Sequence, residues 1–325
     1  LCDRRQRQMC IRDSWNDCLR LGANGESSFV ALQFYYAMTI LKIFAEYKKD
    51  TEYVQYLEET QKAFGEKVQE LCWDNDRFVR GYTESGERIG EAAAPEANMW
   101  LNPQSWAVIS GLATPEQGDA ALNNVYERLN TEYGAILMDP PYHAHAFDGA
   151  LAVIYNQGTK ENSGIFSQSQ GWLILAEALR GHGERAFTYF MENSPAAQND
   201  CAEIRRLEPY CYGQFTEGKA SKHFGRSHVH WLTGTASTVM VGCVEGILGL
   251  RPDLEGLRLS PSVPKSWKHF EIEKVFRGKQ LHISVENPDE KESGCCSLVL
   301  NGQKLADNYI PENLLQDKNE VILTL

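Results

Sequence analysis

The run Ser27-Ser-Phe-Val-Ala-Leu-Gln-Phe-Tyr-Tyr-Ala-Met-Thr-Ile-Leu-Lys-Ile-Phe-Ala-Glu-Tyr47 contains neither glycine nor proline. Its apolar residues return at helical spacing from Phe29 to Tyr47, and Ser27 and Ser28 can cap its start, so it reads as one long helix. A second helix is expected from about Glu52 to Leu71, through Tyr53, Tyr56, Leu57, Phe64 and Val68, which makes the two an antiparallel pair. From Trp73 to Gly90 the pattern breaks at Gly81, Gly86 and Gly90 among alternating aromatics, giving a loop with short strands. Helices resume at Pro103–Ser110, Pro115–Leu129, Gly171–Leu179, Gly183–Met191 and Thr235–Leu248, the first two opening with proline in the first turn.

Seven helices joined by long Gly- and Pro-containing loops, with the aromatic and polar motifs gathered in those loops, fit successive hairpins of an (α/α) toroid whose funnel mouth holds a site. About half of a six-hairpin ring is supplied. After Pro261 the character changes to period two, in Phe270–Phe276, Gln280–Val285 and Ser297–Leu300, with turns at Gly278, Asn287-Pro288 and Asn301-Gly302. The fold class predicted is therefore mainly α: a partial (α/α)6 toroid over 14–265 and a small C-terminal antiparallel β domain over 266–325. Residues 1–13 match no element and carry charge without period, and are expected to be a truncation or a non-native junction.

Composition narrows the function. With 42 % hydrophobic and 23 % charged residues the chain is ordinary globular material. A formal net charge of −12 repels polyphosphate backbones and anionic lipid, and no basic stripe offsets it, so neither nucleic acid nor a membrane surface is an expected partner. No run approaches a membrane span of uncharged apolar residues. The nine cysteines form no C-x-x-C pair and no zinc spacing, which fits scattered thiols in a reducing cytoplasm and argues against a metal.

Trp15-Asn16-Asp17 carries chemistry: an indole can stack on a pyranose face while a carboxyl two residues away protonates a glycosidic oxygen. Alone, the triplet could equally be a capping Asp beside a packed Trp. It is followed in order by Gly25-Glu-Ser27, Leu101-Asn-Pro-Gln-Ser-Trp-Ala-Val108, Asp139-Pro-Pro-Tyr142, Gly158-Thr-Lys-Glu-Asn162, Glu208-Pro-Tyr210 and Trp231-Leu-Thr-Gly-Thr235. The ordered set resembles glycoside hydrolase family 94, the inverting disaccharide phosphorylases of cellobiose phosphorylase type, from about Ser14 to Trp267.

The resemblance implies phosphorolysis of a β-linked glucosyl disaccharide to an α-sugar 1-phosphate and a free acceptor sugar. Phosphate would be a co-substrate, with no metal or organic cofactor, in a cytoplasmic homodimer. It maps the general acid onto Asp17, sugar contacts onto Trp15, Tyr155, Lys160 and Glu161, and phosphate contacts onto Gln168, Gln214, Thr233 and Gly234. One acid suffices, because phosphate is already an anionic nucleophile. Thr233-Gly234-Thr235 also reads independently as an anion cradle, with hydroxyls and a helix start that presents its positive end. Two positions depart from the family: Gln168 stands where relatives carry a phosphate-holding His, and Cys18 where they carry Gly. A phosphate-binding Arg of the family would lie before residue 1.

Some residues admit a plainer reading. Trp106 sits among apolar neighbours and is expected to be core; Lys160 and Glu161 could form a surface ion pair; Glu208 is expected to order its loop. The competing functions are an inverting toroid hydrolase, with Glu161 or Glu208 as the base that activates water, and an incompetent fragment that retains only sugar binding.

Overall fold

The computed structural model describes residues 15–143 and 149–325, so the expected junction segment 1–13 lies outside the described residues. The first two helices form as the spacing requires. Helix α1 (Ser28–Lys48) is capped by the Ser27 hydroxyl, which accepts from Val30 N at 3.4 Å, and ends where Lys49 turns left-handed at φ 59°. Helix α2 (Thr51–Cys72) is capped by Asp50, which accepts from Tyr53 N at 3.1 Å. The Gln61 amide fastens the pair, donating to Tyr35 O and Thr39 Oγ1.

Helix α3 (Leu101–Ile109) holds Pro103 in its first turn, where the missing N–H has no partner to lose. Helix α4 (Pro115–Asn124) starts on a capping box between Thr114 and Gln117 and runs on as a π-helical turn over Val125–Leu129. Helices α5 (Ser167–Leu179), α6 (Gly183–Asn193) and α7 (Thr235–Val241) follow, α7 continuing as a π-helical turn over Gly242–Ile247. A single helical turn at Ala202–Arg205 adds to the seven expected helices.

Helix α5 begins four residues earlier than the hydrophobic period implies. Its first turn, Ser167-Gln-Ser-Gln170, is polar yet buried at Ser167, Ser169 and Gln170. The Gln170 amide replaces apolar contact with paired hydrogen bonds, accepting from Ala135 N at 2.8 Å and donating to Ala135 O at 2.9 Å.

Helices α1, α3, α5 and α7 lie side by side in that order, and α2, α4 and α6 each pack against the helix before them. By length and composition α1 could cross a membrane, contrary to the expectation from its charges. Here it packs on α2 and α3 through Phe29, Leu32 and Met38, one stripe of a helix layer.

Three short strands sit beside the start of α5: β1 (Ile165–Phe166), β2 (Gly213–Thr216) and β3 (Ser227–His230), antiparallel in the order β3-β2-β1. The later β structure starts before Pro261. Strands β4 (Leu250–Pro252) and β5 (Gly256–Leu259) pair with each other, and β5 pairs with β10 (Tyr309–Pro311). A second sheet runs β6 (His269–Phe276), β7 (Lys279–Glu286), β11 (Lys318–Thr324), β8 (Ser297–Leu300), β9 (Gln303–Lys304) in spatial order. The expected hairpin at Asn301-Gly302 joins β8 to β9, both residues at positive φ (50° and 84°) as a type I′ turn needs. The all-antiparallel expectation fails at β7 and β11, which run parallel. The chain between them, 287–317, is long enough for the crossover that a parallel pair demands.

One apolar core joins the two kinds of structure. Leu173 and Ile174 of α5, Val239 of α7, and Leu281, Ile283 and Val285 of β7 belong to a single buried cluster.

The crossing of α5 and α7 is a backbone contact. A Cβ built at Gly171 would stand 2.3 Å from the Thr238 carbonyl carbon, and one at Gly242 would stand 2.8 Å from Gly171 O. Helix propensity alone favours Gly171→Ala by about 1 kcal/mol, but overpacking at the crossing costs about 2–3 kcal/mol. The expected result is a lower urea midpoint with an unchanged slope; a raised midpoint would mean the helices do not touch there.

Candidate active site

Nine sequence-predicted residues line one cavity of about 430 Å3: Trp15, Asp17, Tyr155, Lys160, Glu161, Gln168, Gln214, Thr233 and Gly234. Phe166 and Leu232 complete the wall. Four segments far apart in the chain converge on it: the turn 15–18, the loop before β1 together with the start of α5, strand β2, and the approach to α7.

The turn 15–18 presents Asp17 outward between two buried neighbours, Asn16 and Cys18. Trp15 holds a left-handed backbone at φ 68° and meets Phe166 and Trp172 edge to face at 5.2 and 5.5 Å. Phe29 and Trp106 extend this aromatic packing onto α1 and α3, so Trp106 is a packing residue, as expected. The Trp15 indole N–H donates to Gln168 Oε1 at 3.3 Å.

Glu161 is buried and receives the Asp17 and Cys18 amides, one on each carboxylate oxygen, both at 3.0 Å. Burial pushes its carboxyl above the usual range, and the two amides pull the other way. Two backbone bonds to one carboxylate pin the acid's turn. Glu161 lines the cavity and also holds the turn, since each of its oxygens accepts one backbone amide. It also does not form the surface ion pair that its neighbour Lys160 suggested.

Lys160 stands over the Tyr155 ring at 5.4 Å and the Phe215 ring at 6.0 Å. Among the described residues it is the one cation in the wall of the cavity. Its backbone is left-handed, φ 47°, in the tight turn Thr159–Asn162.

The approach to α7 supplies another part of the wall. Gly234 occupies its cap position, and the Thr233 hydroxyl accepts from Thr235 N at 3.2 Å and shares a 2.6 Å bond with the Thr235 hydroxyl. A Cβ at Gly234 would lie 3.3 Å from Gln168 Nε2. Because Trp15 holds the other end of that amide, its N–H2 is aimed toward Gly234. Trp15, Gln168 and Gly234 thus connect the acid's turn to the helix start. Gln214 projects from β2, where Phe215 stacks between Phe166 and His228.

Glu208 is not in this cavity wall. Its carboxylate is about half exposed rather than buried, and lies 3.6 Å from His230 Nδ1 at the end of β3. Two site-building residues escaped sequence reading, Trp172 and Arg80. Trp172 follows a glycine on a helix and looks like any core aromatic. Arg80 is fully buried and donates to Asn16 Oδ1 at 2.8 Å; only the cost of burying a guanidinium marks it as unusual.

The cavity thus gathers an exposed carboxylic acid beside an indole with the threonine and glycine that lead into α7. The chain belongs to the glycosyl hydrolase 94 superfamily, whose catalytic-domain model matches residues 6–249. It is 35 % identical over 322 residues to an N,N'-diacetylchitobiose phosphorylase of Vibrio proteolyticus, covering 97 % of this chain and 39 % of the relative. It is 34 % identical over 295 residues to the corresponding protein of Vibrio furnissii (90 % and 37 % covered) and 27 % identical over 301 residues to a solabiose phosphorylase of Paenibacillus borealis (91 % and 39 %). The chain spans about two fifths of the length of these relatives.

Replacing Glu161 by Gln keeps the shape but turns an amide N–H2 toward one of the two backbone donors. Loss of one bond to a charged acceptor costs about 1.5–3 kcal/mol, so the Asp17 and Cys18 amides should exchange hydrogen about 10- to 100-fold faster. Unchanged protection in that variant would mean that the turn is held by something else.

Proposed function

We propose that this chain forms part of an inverting disaccharide phosphorylase. Asp17 protonates the departing oxygen of a β-linked disaccharide, and inorganic phosphate attacks the anomeric carbon from the opposite face, giving an α-sugar 1-phosphate and a free sugar. The observation that carries the reading is the single cavity that Asp17 lines together with Thr233, Gly234 and Gln168. Trp15 and Tyr155 flank the sugar, and Lys160 supplies positive charge in an otherwise acidic chain. Gln214, the Gln168 amide and the start of α7 bind phosphate with neutral donors. Glu161 acts through the backbone of Asp17.

The side-by-side order α1, α3, α5, α7, each with its outer partner, supports consecutive hairpins of an (α/α)6 toroid, with the later strands as an appended β domain. A homodimeric cytoplasmic enzyme that needs no metal or organic cofactor belongs to the same reading. N,N'-Diacetylchitobiose is the first substrate to test, ahead of cellobiose, because the relatives named for it share the higher identities with this chain. Hydrolysis is the weaker alternative: it needs a second carboxylate for water, and of the two candidates Glu161 already supports the acid's own turn while Glu208 lies outside the cavity wall.

The test supplies the full-length protein with N,N'-diacetylchitobiose, cellobiose or cellobionic acid, with and without phosphate. The expected outcome is sugar 1-phosphate of α configuration appearing only with phosphate, and a kcat lowered about 10²- to 10⁴-fold by Asp17→Asn. Free monosaccharides released without phosphate would replace this reading by hydrolysis.

A further inference from the structure

We propose that Arg80 is a positioning residue for the acid: it clamps the Trp15-Asn16-Asp17 turn to the start of α1 and so sets where the Asp17 carboxyl meets the glycosidic oxygen. This rests on the reading of Asp17 as proton donor.

Arg80 is 0 % exposed, among the largest fully buried side chains described. Its two terminal nitrogens reach different segments: Nη2 donates to Asn16 Oδ1 and Nη1 to Ser27 Oγ, each at 2.8 Å. Ser27 is the residue whose hydroxyl caps α1. The backbone of Arg80 is fixed as well. Its N–H donates to Ile89 O at 2.7 Å, and its carbonyl accepts from Ser28 N at 3.2 Å. The guanidinium lies 5.9 Å from the Phe29 ring and 5.7 Å from the Trp100 ring, so its planar fork is packed as well as bonded.

The turn is thus gripped on both sides of one residue. Arg80 holds Asn16 through its side chain, and Glu161 holds the Asp17 and Cys18 amides. Between the clamps the Asp17 side chain has only its own rotamers left. A buried cation is costly, and an apolar side chain of the same volume would stabilise the core at least as well. Such a group fits a demand for fixed geometry in the turn next to it. Burial lowers the Arg80 pKa only to about 10, so the clamp stays charged at neutral pH.

In the full-length protein, Arg80→Met removes the bonds to Asn16 and Ser27, Asn16→Ala removes one acceptor while leaving Arg80 on Ser27, and Arg80→Lys keeps the charge but cannot span the Asn16 and Ser27 oxygens. The disaccharide is the one turned over best by the wild type, compared with the 4-nitrophenyl β-glycoside of its donor sugar, whose nitrophenolate leaves without protonation. The expected kcat on the disaccharide falls about 100-fold in Arg80→Met and Asn16→Ala and about 10-fold in Arg80→Lys, while the KM for phosphate stays within about 3-fold. On the aryl glycoside each loss should be under about 5-fold.

If Arg80→Met does not fold, the other two variants carry the test. A kcat within about 3-fold of wild type in variants that fold, or losses equal on both substrates or accompanied by a weakened phosphate KM, would overturn the positioning role. Failure of the underlying function looks different: the wild type itself would show no phosphate-dependent cleavage, or Asp17→Asn would be as active as wild type.

Discussion

A buried carboxylate, Glu161, accepting two consecutive backbone amides from a turn more than 140 residues earlier, is the interaction on which the site depends. It joins the loop ahead of α5 to the turn ahead of α1. It pins the backbone of the acid itself, where Arg80 holds only the neighbouring Asn16 side chain. With it, Asp17 is the one outward side chain between buried Asn16 and Cys18. A charge buried in this way is stable only if its lone pairs are used, and here the backbone of the functional turn uses them.

From that joint the rest follows in layers. Trp15 packs on Phe166 and Trp172 and bonds to Gln168, so the acid's turn is packed against β1 and α5. Helix α5 crosses α7 with backbone touching backbone at Gly171 and Gly242, which fixes the start of α7 relative to the same turn. The helix order α1, α3, α5, α7 carries these pairwise contacts from one helix to the next. The apolar core continues from α5 into the strands of the last third of the chain, which brace the helices from behind.

Much of this was legible in the sequence, and the failures have physical causes. The helices α1 and α2 announced themselves through apolar spacing and through caps at Ser27 and Asp50. The start of α5 did not, because Ser167, Ser169 and Gln170 are buried polar residues satisfied by hydrogen bonds, which hydrophobic periodicity does not register. Strands β2 and β3, rich in Gly and His, carry no alternation strong enough to see. The parallel pairing of β7 with β11 is a matter of topology that local pattern cannot encode. At the site, the ordered motifs gathered all nine candidate residues that line the cavity. The division of labour among them was not legible: Glu161 read as a sugar contact or half of an ion pair until its partners were known. Arg80 read as one more loop residue, since an arginine between Val79 and Gly81 gives no sign of being buried.

The account's central claim is geometric: acid and phosphate cradle face each other across one glycosidic bond. The most direct measurement is a structure of the full-length protein with disaccharide and phosphate, or vanadate in its place, bound together. The account expects the Asp17 carboxyl about 3 Å from the glycosidic oxygen and the anion against Thr233, Gly234 and the Gln168 amide on the far face of the sugar. An anion held elsewhere, or a glycosidic oxygen turned away from Asp17, would contradict it.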